Sequence, residues 1–176
     1  CDIRAKHLNI EIGLNLRTDR WAGADFWQQQ AIEAFGLEDL MARCEVATVG
    51  IDGGGLDDML GLPVIGREKE TRRWMWWSHA WAHEIALDRR KEIAPRLLDF
   101  KKDGDLTIVK QPGHDVQALA DIICQLNDAN LLPEEKAIGV DPAGIGDIID
   151  ELTSEDRGIK IEQIIAVRQG YTLNGA

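Results

Sequence analysis

Two short apolar runs, each ending in an aspartate, organise the hydrophobic pattern. Residues 46–52, Val-Ala-Thr-Val-Gly-Ile-Asp, form a β-branched run that predicts a buried central strand with Asp52 at its carboxyl end. Residues 60–67 and 72–77 predict two further strands, joined by the polar turn 68–71, and the three together predict an antiparallel meander. Pro63 confines the middle strand to an edge, a start or a bulge at that point. The second run, residues 136–141, ends in Asp141 and is followed by a Pro-Ala-Gly turn. A helix carrying Ile145, Ile148, Ile149 and Leu152 comes next, then a β-rich run over 159–167. Strand, helix and strand at this spacing imply a right-handed parallel crossover.

Helical spacing accounts for much of the rest. Residues 25–41 place Phe26, Ala31, Ile32, Phe35 and Leu37 at helical intervals, with Gly36 interrupting or ending the helix and Trp21 and Trp27 flanking its start. Residues 79–102 are rich in Ala, Leu, Glu, Arg and Lys and predict a helix that Pro95 kinks or restarts. Residues 106–109 predict a short strand. Asp115 then reads as the N-cap of a helix with Val116, Leu119, Ile122, Ile123 and Leu126 on one face. The fold class is α/β, a mixed sheet in which an antiparallel meander is followed by parallel strands, flanked by helices.

Length and composition narrow this picture. At 176 residues and 44% hydrophobic, the chain has the size of one ordinary domain. Cys1, Cys44 and Cys124 show no CxxC spacing, and an odd count argues for a reducing compartment. No run of about 18 apolar residues could span a bilayer, and no signal pattern opens the chain, so a cytoplasmic protein is expected. A start at Cys1 instead of Met, and an unremarkable end at Ala176, suggest a fragment of a longer chain. The net charge of -11 counts against a polyanionic partner, but residues 64–110 hold 11 basic side chains against 8 acidic ones. Arg67, Lys69, Arg72, Arg73, Arg89, Arg90, Lys91, Lys101 and Lys102 could contact phosphate there, or form a solvated mixed-charge face.

The candidate chemistry lies at the two aspartates. Parallel neighbours end on the same side of a sheet, and ligands of open α/β sheets gather beyond those ends. If the strands of Asp52 and Asp141 are neighbours, both carboxylates enter one crevice, where they repel unless a proton or cation intervenes. Oxygen-only ligands suit Mg²⁺ or Mn²⁺, and a pair of such ions can activate water for phosphoryl displacement. The alternative is that each acid caps the turn that follows it, as Asp141 before Pro142 could. Gly-Ile-Asp-Gly-Gly-Gly, 50–55, also resembles the first phosphate loop of the actin-like ATPase and sugar kinase superfamily. However, Leu56-Asp57-Asp58 stands where that loop carries a hydroxyl, and no Walker Gly-Lys-Ser/Thr follows. His79 and His83, four apart, would share a helix face as a metal pair or serve as packing histidines. Trp74 and Trp76 could stack on bases, but on one strand face they are expected to be core, with Met75 and Trp77 covering the other.

Several segments in order resemble the large terminase subunit of tailed bacteriophages: Lys-His-Leu-Asn at 6–9 with Trp27, the stretch 49–58, Asp-Gly-Asp-Leu-Thr-Ile-Val at 103–109 with Gly-His-Asp-Val at 113–116, Ile-Gly-Val-Asp-Pro at 138–142, and Val-Arg-Gln-Gly-Tyr at 167–171. The resemblance implies that residues 1–45 are a linker and lead-in helix from an upstream ATPase domain. It implies that residues 46–176 are a ribonuclease H-like nuclease domain whose C-terminal part is missing. It implies an endonuclease that cuts double-stranded concatemeric DNA with two Mg²⁺ or Mn²⁺ ions, with Asp52 and Asp141 as the first and second catalytic acids. Asp58 is given a supporting role, and a third acid is expected beyond Ala176, so the fragment alone would be an incomplete nuclease. The small terminase subunit and the portal protein are the implied partners, in the cytoplasm of the bacterial host. A different class stays open beside it: a non-catalytic docking module for portal or small subunit, whose acidic flanks would suit a basic surface.

Overall fold

The computed structural model describes residues 23, 26, 28–30, 35–56, 58–142 and 146–167. Cys1–Phe35 and Gly36–Ala176 form two compact units. In the first, the described element is a 3-10 turn at Gln28–Gln30. Of the helix expected over 25–41, residues 25, 27 and 31–34 lie outside the described residues.

The second unit opens with α1 (Leu37–Arg43), whose N-terminus is closed by the Gly36 N–H donating to Asp39 Oδ2 at 2.9 Å. Gly36 is therefore the cap of this helix. Three ten-residue strands follow, β1 (Cys44–Gly53), β2 (Met59–Glu68) and β3 (Trp74–His83). Then come α2 (Glu84–Arg89), α3 (Ala94–Asp103), β4 (Leu106–Val109) and α4 (His114–Asp128). The described chain closes with β5 (Ile138–Val140), α5 (Gly146–Leu152), a 3-10 turn (Ile161–Gln163) and β6 (Ile164–Ala166).

The sheet order is β4-β3-β2-β1-β5-β6. β1, β2 and β3 are antiparallel neighbours, whereas β5 runs parallel to β1, β6 parallel to β5, and β4 parallel to β3. This is the mixed sheet that the pattern predicts. One face of β1 and β2 is the core: Ala47, Val49, Ile51, Leu60, Leu62 and Val64 are buried on it with Ile138 and Val140 of β5. Leu119, Ile123 and Leu126 of α4 are buried as well, one stripe of an amphipathic helix. Gly66 is required where α1 meets the sheet, because a Cβ there would stand 2.5 Å from Cys44 Sγ and 3.2 Å from Leu40 Cδ2.

Three expectations change. The helix expected over 79–102 is strand as far as His83, because Met59 to Arg67 pair with Trp74 to Ala82 while β4 holds Ala80 to His83 from the other side. Pairing on both edges outweighs the helical propensity of Ala80 and Ala82. Pro95 lies in the first turn of α3, where no backbone N–H is needed, so the segment restarts there instead of kinking. Asp115 is inside the first turn of α4, and the N-cap is Gly113 with φ 87°. The final strand is shorter than expected, its first part being the 3-10 turn. Buried Gln163 anchors that turn: its Nε2 donates to Asn127 Oδ1 at 3.0 Å and to the Pro133 carbonyl at 3.1 Å, while its Oε1 accepts from Lys160 N–H at 3.1 Å.

Cys44 and Cys124 are free thiols, both raised above the usual thiol range chiefly by burial. Among the described residues no helix is long and apolar enough to cross a membrane.

Candidate metal centre at the carboxyl ends of β1 and β5

The β1–β5 ladder pairs Val49 with Ile138, Gly50 with Gly139 and Ile51 with Val140. The next residue on each strand is Asp52 and Asp141. Parallel neighbours lie about 4.8 Å apart, so two carboxylates leave adjacent strand ends side by side. Ile51 and Val140 are buried on the core face, and alternation therefore directs Asp52 to the opposite, open face with Gly50. Asp141, half-buried, continues β5 in the same phase, and the Val167 N–H donating to Val140 O at 2.8 Å carries the β5–β6 pairing to this edge.

The loop after Asp52 contains three consecutive glycines at positive φ: Gly53 at 83°, Gly54 at 114° and Gly55 at 105°. At Gly53 the requirement is steric as well, since a Cβ would lie 2.0 Å from the Met59 carbonyl oxygen. The Gly54 N–H donates to that same oxygen at 3.1 Å, closing the hairpin into β2. That amide is used inside the loop, which weakens the resemblance to a phosphate cradle. Asp58 is turned to other partners: its Oδ1 accepts from the Met59 N–H at 2.9 Å and stands 3.7 Å from Arg90 Nη2. Among the described residues no group of three or more His, Cys, Asp or Glu is placed to hold a metal ion. The structure thus juxtaposes the strand ends of Asp52 and Asp141 without gathering Asp58 into a three-acid cluster with them.

Beside this edge, over the helical side, a cleft of about 300 Å³ is lined by Gly55, Leu56, His83, Gly113, Asp115, Asp147 and Glu151, among others. Sequence reasoning missed the acidic side of this cleft, whose residues come from α4 and α5, because nothing in their spacing links them. Arg157 ties those helices together, with its Nη1 on Asp121 and its Nη2 2.6 Å from Glu151 Oε1. Both partners hold its guanidinium protonated, Asp121 foremost.

The histidine pair is structural. His83 caps α2, its Nδ1 accepting from the Ile85 N–H at 3.2 Å, which leaves Nε2–H to donate to the Lys110 carbonyl at 2.9 Å. His79 stacks on Trp77 at a centroid distance of 6.0 Å, meets the edge of Trp81 at 4.8 Å, and has Nε2 2.9 Å from Thr107 Oγ1. Burial lowers His79 below the ordinary imidazole value of 6.5, against a smaller opposing pull from Asp105. The unfolded chain thus takes up a proton that the folded chain resists, and stability must fall as pH drops below 6.5. Thermal unfolding followed from about pH 7.5 to about pH 5 should show this slope, and His79→Phe should flatten it. An equal slope in both proteins would show that another group is responsible.

The tryptophans reverse the expected phase. Alternation along β3 holds, but Met75 is the buried residue, while Trp74 is 70% exposed and Trp76 is 51% exposed.

No family model matches the sequence, and no curated protein matches it. Among solved structures, the crystal structure of the HK97 bacteriophage large terminase is similar, with a TM-score of 0.53 at 15% identity. The similarity covers 77% of this chain and 28% of that one, so the chain spans little more than a quarter of that protein's length. At this identity the likeness concerns the fold alone: a mixed six-stranded sheet flanked by helices, of the ribonuclease H-like type, is shared with that structure.

Proposed function

We propose that this domain is the metal-dependent endonuclease of a phage DNA-packaging terminase, hydrolysing double-stranded concatemeric DNA in the host cytoplasm. The observation that carries the reading is the β1–β5 register, which brings Asp52 and Asp141 out at neighbouring strand ends. Paired carboxylates repel unless a cation lies between them, and hard oxygen donors suit Mg²⁺ or Mn²⁺. Asp52 and Asp141 would hold two such ions, with Asp58 assisting through water. When bound, the ions supply an activated water and offset charge at the phosphodiester. The chain's own part is to fix both carboxylates on a rigid sheet and to keep the adjoining turn free of side chains, so that a sugar-phosphate backbone can approach closely. Water is the nucleophile in this reading, and no covalent enzyme intermediate forms. The small terminase subunit and the portal protein would be its partners.

A second reading, a non-catalytic docking module for one of those partners, is favoured by one observation: the described residues assemble no third metal ligand. The two separate on metal linkage. A ligand that binds only the folded state stabilises it by about 2.7 kcal/mol at a hundred times its Kd. Thermal unfolding with increasing Mn²⁺ should therefore show a saturable rise in midpoint that Asp52→Asn abolishes. A midpoint indifferent to Mn²⁺ would favour the docking module.

A further inference from the structure

Among the described residues, the face that carries Asp52 is open along the meander. From Asp52 it runs through Gly50, Gly61 and Pro63 to Ser78, then to Thr48, Ile65 and Trp76, and ends at Arg67 beside Trp74. α3 and β4 shield the carboxyl end of β3 on this side, where Ala82, Leu97 and Leu106 form a small core. At the amino end of β3, Trp74 and Trp76 stay at 70% and 51% exposure with Ile65 at 38%, a flat aromatic and aliphatic surface.

The rim of that surface is basic. A bulge in β1 between Cys44 and Val46 re-aims Glu45 so that one carboxylate serves two guanidiniums, Arg67 at 2.7 Å and Arg72. Glu68 is shared in the same way, bonded to Arg43 and Thr71 and drawn down further by Arg73. Both carboxyls lie below the usual range, Glu45 chiefly through Arg72 and Glu68 chiefly through Thr71. Over residues 67–73 the β2–β3 tip holds four basic side chains against two acidic ones, a local positive surplus in a chain of net charge -11. Arg72 remains 61% exposed.

We propose that this face is a binding track for an unpaired DNA strand, with Trp74 as its stacking platform and the arginines of the β2–β3 tip as its phosphate contacts. The proposal rests on the nuclease reading for DNA as the substrate, and it adds a contact for one strand where it has parted from its complement. Three observations converge on a single strand. Neighbouring same-face positions on β3 are about 6.8 Å apart, twice the 3.4 Å step of a duplex strand, so Trp74 and Trp76 match bases that are spread instead of stacked on one another. A duplex hides its base faces, and an exposed indole finds them only where the strands have parted. Six residues separate Trp74 from Ala80, the partner of Gly61 beside Asp52, which places the platform about 20 Å from the carboxylates along the strands. The cleft on the other side is lined by Asp115, Asp147 and Glu151 and repels a polyanion, leaving the open face as the approach to Asp52.

The test is binding without cutting. In EDTA, fluorescence anisotropy of a labelled single-stranded oligonucleotide should show affinity that falls about tenfold with Trp74→Ala. An Arg72→Ala, Arg73→Ala variant should bind more weakly and lower the salt slope by roughly one to two contacts. A blunt duplex should respond much less to Trp74→Ala. Circular dichroism and thermal unfolding confirm the fold of each variant, and the substituted side chains are exposed. Single-strand binding that is absent in the native protein, or unchanged in both variants, overturns the proposal. So does a concentration-dependent dimer that Trp74→Ala dissolves, since the face would then belong to a second copy. Trp74-dependent binding in a protein that, extended past Ala176, never cuts DNA would sustain the track and sink the nuclease. Metal-dependent cutting with Trp74-independent binding would do the reverse.

Discussion

Gly53→Ala is expected to destabilise the domain by about 3 kcal/mol, combining left-handed strain of roughly 1–2 kcal/mol with a backbone collision and a weakened turn hydrogen bond. The added methyl would stand 2.0 Å from the Met59 carbonyl oxygen, an atom that cannot rotate away. Relief requires the β1–β2 hairpin to open, and the Gly54 N–H bond to that oxygen would loosen with it. Gly55→Ala provides the contrast. Its φ of 105° imposes strain, but nothing lies within 4 Å of the new Cβ. Chemical denaturation should therefore rank Gly53→Ala well below Gly55→Ala, by about 1–2 kcal/mol. Equal losses would show that the collision relaxes freely and that the turn is not held where Met59 places it. The loss also bears on function, because Gly53 adjoins Asp52.

The architecture was largely legible because its signals are local. β-branched runs ending in Asp52 and Asp141, separated by a meander and followed by a crossover, admit few arrangements, and the handedness of crossovers makes adjacent parallel strands the natural one. The fate of residues 78–83 was not legible. Ser-His-Ala-Trp-Ala-His reads as helix or strand by composition, and the outcome rests on β2 and β4, which are distant in sequence. Period-two alternation in Trp74 to Trp77 was visible, but alternation does not say which face is wet. That depends on where α1, α3 and α4 lie. The acidic pair was readable at the level of placement, through the register of two strands. The orientation of Asp58 toward Met59 and Arg90 was not, because it is set by a turn and by the C-cap of α2, distant in sequence.

The second large effect concerns the acids themselves. Asparagine keeps the size of aspartate and removes the charge, so Asp52→Asn or Asp141→Asn leaves the strands intact while weakening any hold on a divalent cation. Asp52 is exposed, and Asp52→Asn should leave the unfolding midpoint nearly native. Loss of a metal that both activates water and stabilises the departing oxygen should lower cutting at least about a hundredfold for each single change. The two losses should fall far short of adding, since both acids serve one site. The most direct measurement is conversion of supercoiled plasmid to nicked and linear forms in Mn²⁺, comparing the protein extended past Ala176, where the third acid is expected, with its Asp52→Asn, Asp141→Asn double variant. The metal-centre account predicts EDTA-sensitive cutting by the native protein and none above background by the double variant; undiminished cutting by that variant would contradict it.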